Sequence, residues 1–185
     1  MKRKPVPRSA WARIRLFAMD VDGVLTDGTV YIFSDGVEAK GFSIIDGLGL
    51  KLLAATGLEL AWISGRQSTA STNRAAELKI AHVIQGRRDK LAALSELASS
   101  LGLSLRDCAY MGDDVIDAPA IAAAGIGVSV PTGLPAARAA ARYVTRTLPG
   151  HGAVREVCDL LLAARGARAG TDRKSSGPGG RPKRA

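Results

Sequence analysis

A single α/β domain built on a parallel, doubly wound sheet is the fold this chain predicts, and three observations predict it. Short apolar runs alternate with amphipathic stretches from Ile14 to Ala164, with few residues between them. That is the pattern of βαβ units packed on both faces of one sheet. Polar residues able to do chemistry fall where the runs end: Asp20 and Asp22, Ser64 and Arg66, Asp113 and Asp114. Ligands of open α/β sheets bind beyond the carboxyl ends of the strands, so the third observation places a Rossmann-like sheet and a site together.

Taken in order, Ile14 to Met19 reads as the first buried strand, ending at Asp20-Val21-Asp22-Gly23. Thr29 to Phe33 and Val37 to Phe42 flank Ser34-Asp35-Gly36, a β-hairpin signal, and the protruding hairpin spans about 28–43. Its first arm is apolar on both faces, so it packs either on its own domain or on another subunit. Asp46 is the expected N-cap of a helix running to Gly57. Leu58 to Ile63 is the second strand, followed by a helix to about Leu78. Ile80 to Ile84 is the third strand and precedes a helix carrying Lys90 to Leu101. Asp107 to Met111 is the fourth strand, and the next helix contains Asp117 and Ala120 to Ala123. A fifth strand, Ile126 to Val130, a helix at Ala136–Ala141, a short strand at Tyr143-Val144 and a last helix, Ala153 to Ala164, complete the series.

Composition bounds the rest. The 185 residues are 46% hydrophobic but only 4% aromatic, so the core is built from Leu, Ile, Val and Ala. The net charge of +9 is unevenly placed: residues 1–15 carry +6 and residues 165–185 another +6, leaving the remainder at −3. The expected organisation is a basic flexible tail over 1–13, a domain over 14–164 and a disordered basic tail over 165–185. Apart from Trp11, no aromatic residue is interleaved with the tail charges, and the body has no basic stripe, which argues against nucleic acid as a partner. No stretch approaches membrane-spanning length, and Pro5, Pro7, Arg13 and Arg15 break any apolar leader. Cys108 and Cys158 stand far apart in apolar runs, as buried thiols in a reducing, cytoplasmic compartment do. His82 and Trp62 read as core residues.

The residue types at the strand ends define a chemistry. Clustered carboxylates need a cation among them, and Asp oxygens suit a hard divalent ion such as Mg²⁺. A carboxylate can attack phosphorus and form an aspartyl-phosphate. Ser64, the N–H groups around Gly65, and Lys90 are placed to receive phosphate oxygens. Arg66 and Arg74, eight residues apart, fall on nearly one helical face and are candidates for a substrate carboxylate or phosphate.

Together, Asp20-Val21-Asp22-Gly23-Val24-Leu25-Thr26, Ser64, Lys90 and Gly112-Asp113-Asp114-x-x-Asp117 resemble the four motifs of the haloacid-dehalogenase superfamily of phosphohydrolases. The resemblance implies Asp20 as nucleophile and Asp22 as acid and base, with Asp20, the Asp22 main chain and Asp113 on magnesium. Asp114 and Asp117 would be outer-shell partners. The hairpin, Asp46-Gly47, Ile63-Ser64-Gly65-Arg66, Gln85-Gly86-x-x-x-Lys90 and Gly152-Ala-Val-Arg-Glu-Val-Cys158 are similar, more narrowly, to the family of phosphatases acting on 3-deoxy-D-manno-octulosonate 8-phosphate, a lipopolysaccharide precursor. That likeness implies cytoplasmic homotetramers and adds Ser43, Asp46, Gly47 and Lys51 to the substrate-binding set. The chain has Ile45 where that family commonly has Arg.

About 20 residues separate Asp27 from Asp46, and one helix-strand unit separates Ser64 from Lys90, so neither gap holds a cap domain. The hairpin of a neighbouring subunit is the expected lid, and the Gly150-His151-Gly152 turn and Arg155 could approach a neighbour's site. Three other functions compete: a phosphatase of a nine-carbon sialic-acid-type 9-phosphate, a signalling receiver domain, and a non-catalytic assembly module. A receiver needs an Asp at the end of the third strand, where this chain has Ile84-Gln85, and mere assembly needs no paired Asp20 and Asp22.

Overall fold

The computed structural model describes residues 4–166. Six strands form one parallel sheet in the order β5-β4-β1-β6-β7-β8. They are β1 (Leu16–Met19), β4 (Glu59–Ile63), β5 (His82–Ile84), β6 (Cys108–Met111), β7 (Ile126–Ser129) and β8 (Tyr143–Val144). Two short strands, β2 (Tyr31–Ile32) and β3 (Glu38–Ala39), pair antiparallel as the separate hairpin. The helices are α1 (Arg8–Ala12), α2 (Ile44–Ala54), α3 (Thr69–Leu78), α4 (Lys90–Ser100), α5 (Ala118–Ala123), α6 (Pro135–Ala140) and α7 (Ala153–Ala164).

Period-two alternation along the central strands divides the core in two. Phe17 and Met19 of β1, Leu60 and Trp62 of β4, and Ala109 and Met111 of β6 pack on one face with Leu50 and Leu53 of α2 and Val154, Val157 and Leu161 of α7. Leu16 and Ala18, Ala61 and Ile63, and Cys108 and Tyr110 turn to the other face, against Ala93 and Leu94 of α4, Ile121 of α5 and Ala137 of α6. Both faces being covered explains why the strands read as unbroken apolar runs. Each fully buried Leu, Ile or Phe contributes about 1.5–3 kcal/mol, so this aliphatic set offsets the scarcity of aromatic residues.

The chain builds outward from β1 through β4 to β5, then crosses back to place β6, β7 and β8 on the other side. The order reverses at β1, so the crevice beyond its carboxyl end is the topological switch point. Residues 20–58 hold only the hairpin and α2, and residues 64–89 only α3 and β5, so neither interval carries a cap domain.

Some local expectations are corrected. Residues 8–12 are helical rather than a flexible tail, because Trp11 is 3% exposed and meets Tyr143 edge-to-face at 5.7 Å; one large apolar ring is enough to dock a single helical turn. The tail expected over 165–185 lies almost wholly outside the described residues. Helix α2 starts earlier than expected, with Ser43 as N-cap accepting from the Asp46 N–H at 3.4 Å. His82 is half-buried on edge strand β5, its Nε2 3.1 Å from Glu59 Oε2, and is not a core residue. Cys108 and Cys158 are free and buried, and Trp62 is 1% exposed.

Candidate active site

Asp20 is the first residue past β1, and its N–H donates to Met111 O of β6 at 2.9 Å, locking the backbone at the switch point. Its Oδ1 accepts from the Val21 N–H at 2.7 Å and lies 2.8 Å from Lys90 Nζ. Both contacts fix the direction of the carboxylate. Lys90 opens α4, whose N-cap is Asp89, and its side chain is wholly buried. The ammonium also donates to Ile63 O of β4 at 2.6 Å, so the backbone and one carboxylate aim it.

Past β6, Asp113 and Asp117 complete the cluster. Among the described residues, oxygens of Asp20, Asp113 and Asp117 all lie within 4.8 Å of one another. Asp117 is fully buried and spent on internal bonds: Oδ1 accepts from Tyr110 Oη at 2.7 Å, and Oδ2 from the N–H groups of Asp113 and Asp114 at 3.2 and 3.1 Å. Asp113 Oδ1 is buried without a hydrogen-bond partner. Two glycines make the room. A Cβ on Gly23, whose φ is +83°, would stand 2.2 Å from Asp113 Oδ2, and one on Gly112 would stand 2.4 Å from Asp117 Cβ.

Packing three carboxylates together out of water costs energy, and the acids show it. The Asp20 carboxyl is pushed up to about 6, chiefly by burial and then by the Asp117 charge, against the opposing pull of Lys90. Asp113 is pushed up to about 7 by burial and by the charges of Asp20, Asp117 and Asp114. Burial lifts the Tyr110 hydroxyl well above its ordinary range, so it remains a donor to Asp117. An unpartnered buried oxygen, a hard-oxygen donor set and glycine-cleared space together fit a divalent cation such as Mg²⁺.

Asp22 lies outside that cluster. Its carboxylate oxygens are hidden from solvent without an aligned hydrogen bond, and Oδ1 is 2.7 Å from Lys40 Nζ, an ion contact. Its side chain is therefore not among the clustered candidate metal ligands. Ser64 is 2% exposed at the end of β4 and its Oγ accepts from the Arg66 N–H at 3.1 Å, which leaves the hydroxyl proton to donate. Gly65 lies in the same turn.

The remaining expected substrate contacts are mostly spent inside the protein. Asp46 is 1% exposed, and its carboxylate accepts from the Gly152 and Arg155 N–H groups at 3.2 and 2.6 Å, capping α7. A Cβ on Gly47 would meet Arg74 at 2.6 Å, so this glycine makes room for a side chain rather than a ligand. Arg74 donates to Glu77 at 2.6 Å and to Ser43 O at 3.4 Å. Arg66 precedes α3, which begins only after the Ser68 N-cap, so Arg66 and Arg74 share no helical face; Arg66 bonds Glu38 at 2.8 Å. Lys51 is exposed in the last turn of α2, where its charge acts on Glu77, and is not brought to the carboxylates. The Gly150–Gly152 turn docks on its own subunit, through Gly150 N–H to Val24 O at 3.3 Å and Gly152 to Asp46.

Three contributors escaped sequence reasoning. Lys40 and Glu38 sit on the hairpin's returning arm and Ser68 follows β4; Glu38 bonds Ser68 Oγ at 2.5 Å as well as Arg66. Only the polar character of an arm facing an otherwise apolar one could have signalled them.

A carboxylate pair at a parallel-sheet switch point, with a buried lysine on one and a cation-ready acid cluster beside it, defines a phosphoryl-handling hydrolase site. A profile of haloacid dehalogenase-like hydrolases matches residues 63–157. The 3-deoxy-D-manno-octulosonate 8-phosphate phosphatase KdsC of Escherichia coli (strain K12) is 44% identical over 153 residues, 83% of this chain and 81% of that protein. Among solved structures, the corresponding Moraxella catarrhalis phosphatase in complex with magnesium, phosphate and KDO superposes with TM-score 0.85 at 49% identity, over 86% of this chain and 91% of that one. The cobalt-bound Haemophilus influenzae phosphatase gives 0.81 at 36% identity, covering 85% and 92%. The chain belongs to the haloacid dehalogenase-like hydrolases, in a form without a cap domain.

Proposed function

We propose that this protein hydrolyses 3-deoxy-D-manno-octulosonate 8-phosphate to the free sugar acid and inorganic phosphate. The observation that carries the reading is Asp20 at the switch point, one oxygen held by Lys90 at 2.8 Å and the carboxylate clustered with those of Asp113 and Asp117. The substrate follows from the 44% identity to the Escherichia coli phosphatase, spread over most of both chains. The same comparisons favour it over the nine-carbon sugar-acid phosphate.

The mechanism follows from the geometry. Lys90 keeps Asp20 ionised and oriented, so that its carboxylate attacks phosphorus and the P–O bond to the sugar breaks. Asp22 gives its proton to the leaving alkoxide, then takes one from the water that cleaves the aspartyl-phosphate. Ser64 and the N–H groups near Gly65 bind the phosphoryl oxygens as charge moves onto them. Asp20 and Asp113, with the Asp22 carbonyl, would hold Mg²⁺, which supplies charge neutralisation between nucleophile and phosphate. Tyr110 and Asp117 aim Asp113 through its own N–H.

Four subunits per molecule belong to the same reading. Tyr31, Ile32, Phe33 and Val37 of the hairpin and Ile44, Ile45 and Leu48 of α2 are each about half exposed or more. Apolar groups clustered this way mark an interface, and a hairpin lying on a neighbour would shelter a site that has no cap. Residue 45 belongs to this apolar set, which accounts for an Ile there. A panel of sugar phosphates, assayed for phosphate release with and without Mg²⁺, tests the activity. Metal-dependent release from the eight-carbon sugar-acid phosphate, lost in Asp20→Asn, is expected; preference for another sugar phosphate would reassign the substrate.

A further inference from the structure

We infer that Lys40 is a positioning residue for Asp22, so that the hairpin serves its own subunit's chemistry as well as any neighbour's. The inference rests on the phosphatase reading. Lys40 is the residue after β3, and its side chain is 0% exposed. Lysine is almost never that deeply buried without a partner. Its Nζ lies 2.7 Å from Asp22 Oδ1, 3.5 Å from Glu38 Oε1 and 3.4 Å from Ser71 Oγ of α3. The Asp22 oxygens have no aligned hydrogen bond of their own, so this ammonium is what fixes the side chain's direction.

The arm that carries Lys40 is itself anchored. Glu38 reaches Ser68, the N-cap of α3, and Arg66, in the turn after Ser64. Strand β3 therefore ties the acid–base residue to the phosphate-binding turn, while the exposed apolar residues lie on β2 and the tip. Removing the ammonium takes away the contact that fixes the Asp22 carboxyl group, leaving it free to rotate away from the leaving oxygen. A misplacement of that kind costs up to about 100-fold in rate.

Leaving-group chemistry separates positioning of Asp22 from a general structural role. A sugar alkoxide must be protonated as it departs, whereas p-nitrophenolate leaves without a proton. Single-turnover release of each leaving group is measured in the full-length Mg²⁺-loaded enzyme for wild type, Lys40→Met and Lys40→Arg, with the alkyl substrate taken from the panel above. Lys40→Met is expected to slow alkyl release at least about tenfold, with KM within about twofold, and aryl release by less than about threefold. Lys40→Arg, which keeps the charge, should recover most of the alkyl rate. In an Asp22→Asn background, where no unpaired charge threatens folding, Lys40→Met should cost almost nothing further. Equal losses on both substrates, an unchanged alkyl rate, additive losses in the double variant, or an Arg variant no better than Met would each overturn the assignment. A preferred substrate that is another alkyl phosphate would revise the proposed function and leave this comparison intact. Hydrolysis of phosphomonoesters that survives Asp20→Asn would end both.

Discussion

Gly23 shows how a single residue can set metal affinity without touching the metal. Its positive φ and the 2.2 Å between a would-be Cβ and Asp113 Oδ2 mean that an added methyl is strained and displaces a carboxylate of the cluster. Gly23→Ala is expected to raise the Mg²⁺ concentration needed for half-maximal phosphatase activity by about 10–100-fold, the range for disturbed ligand support. A metal titration of activity checks it, and an unchanged midpoint would mean that Asp113 is not a ligand. Asp20, Asp22, Ser64, Lys90 and Asp113 were legible in the sequence because each stands at a strand end or helix start. Lys40 was not: its partner lies 18 residues away, and no local pattern announces a contact made by a hairpin folding back.

At the scale of elements, the junction of α2 and α7 turns on Asp46. The sequence predicts Asp46 as the cap of its own helix, yet Ser43 has that role and Asp46 caps α7 across the domain. Pairings between elements more than 100 residues apart leave no periodic trace, which is why composition and spacing missed it. Asp46→Ala removes the acceptor for the Gly152 and Arg155 N–H groups, the first buried and the second partly so. It should destabilise the fold by about 1–3 kcal/mol, read as a lower urea midpoint with unchanged slope. A midpoint equal to wild type would show the cap to be dispensable. The hairpin is the other element under test. Replacing Ile32 and Phe33, which are 65% and 54% exposed, by Lys should reduce the mass seen by sedimentation below that of a tetramer. An undiminished assembly would remove the hairpin from the interface.

The whole molecule pays for its acid cluster, and pH exposes the cost. Asp20 and Asp113 hold their protons to about 6 and about 7 in the metal-free fold, against an ordinary value of 3.8. Between pH 4 and 7 the native state thus binds more protons than the unfolded chain, so stability falls as pH rises through that window. The metal-free protein should melt at a higher temperature at pH 5 than at pH 8. Added Mg²⁺ should raise the melting temperature more at pH 8, where both carboxylates are charged and repel. A metal effect equal at the two pH values would contradict this. The doubly wound sheet itself was readable from alternating runs, since burial on both faces forces each strand to be apolar throughout. The docked N-terminal turn was not, because one Trp among basic residues carries no periodicity.

The central claim is that Asp20 is transiently phosphorylated, and trapping that acyl phosphate is its most direct measurement. A single turnover with ³²P-labelled sugar-acid phosphate and Mg²⁺ is quenched in acid within the burst and digested. The label should sit on the peptide containing Asp20, and borohydride should convert that residue to homoserine. Full turnover with no labelled peptide at any quench time, or with the label on another residue, would contradict the account.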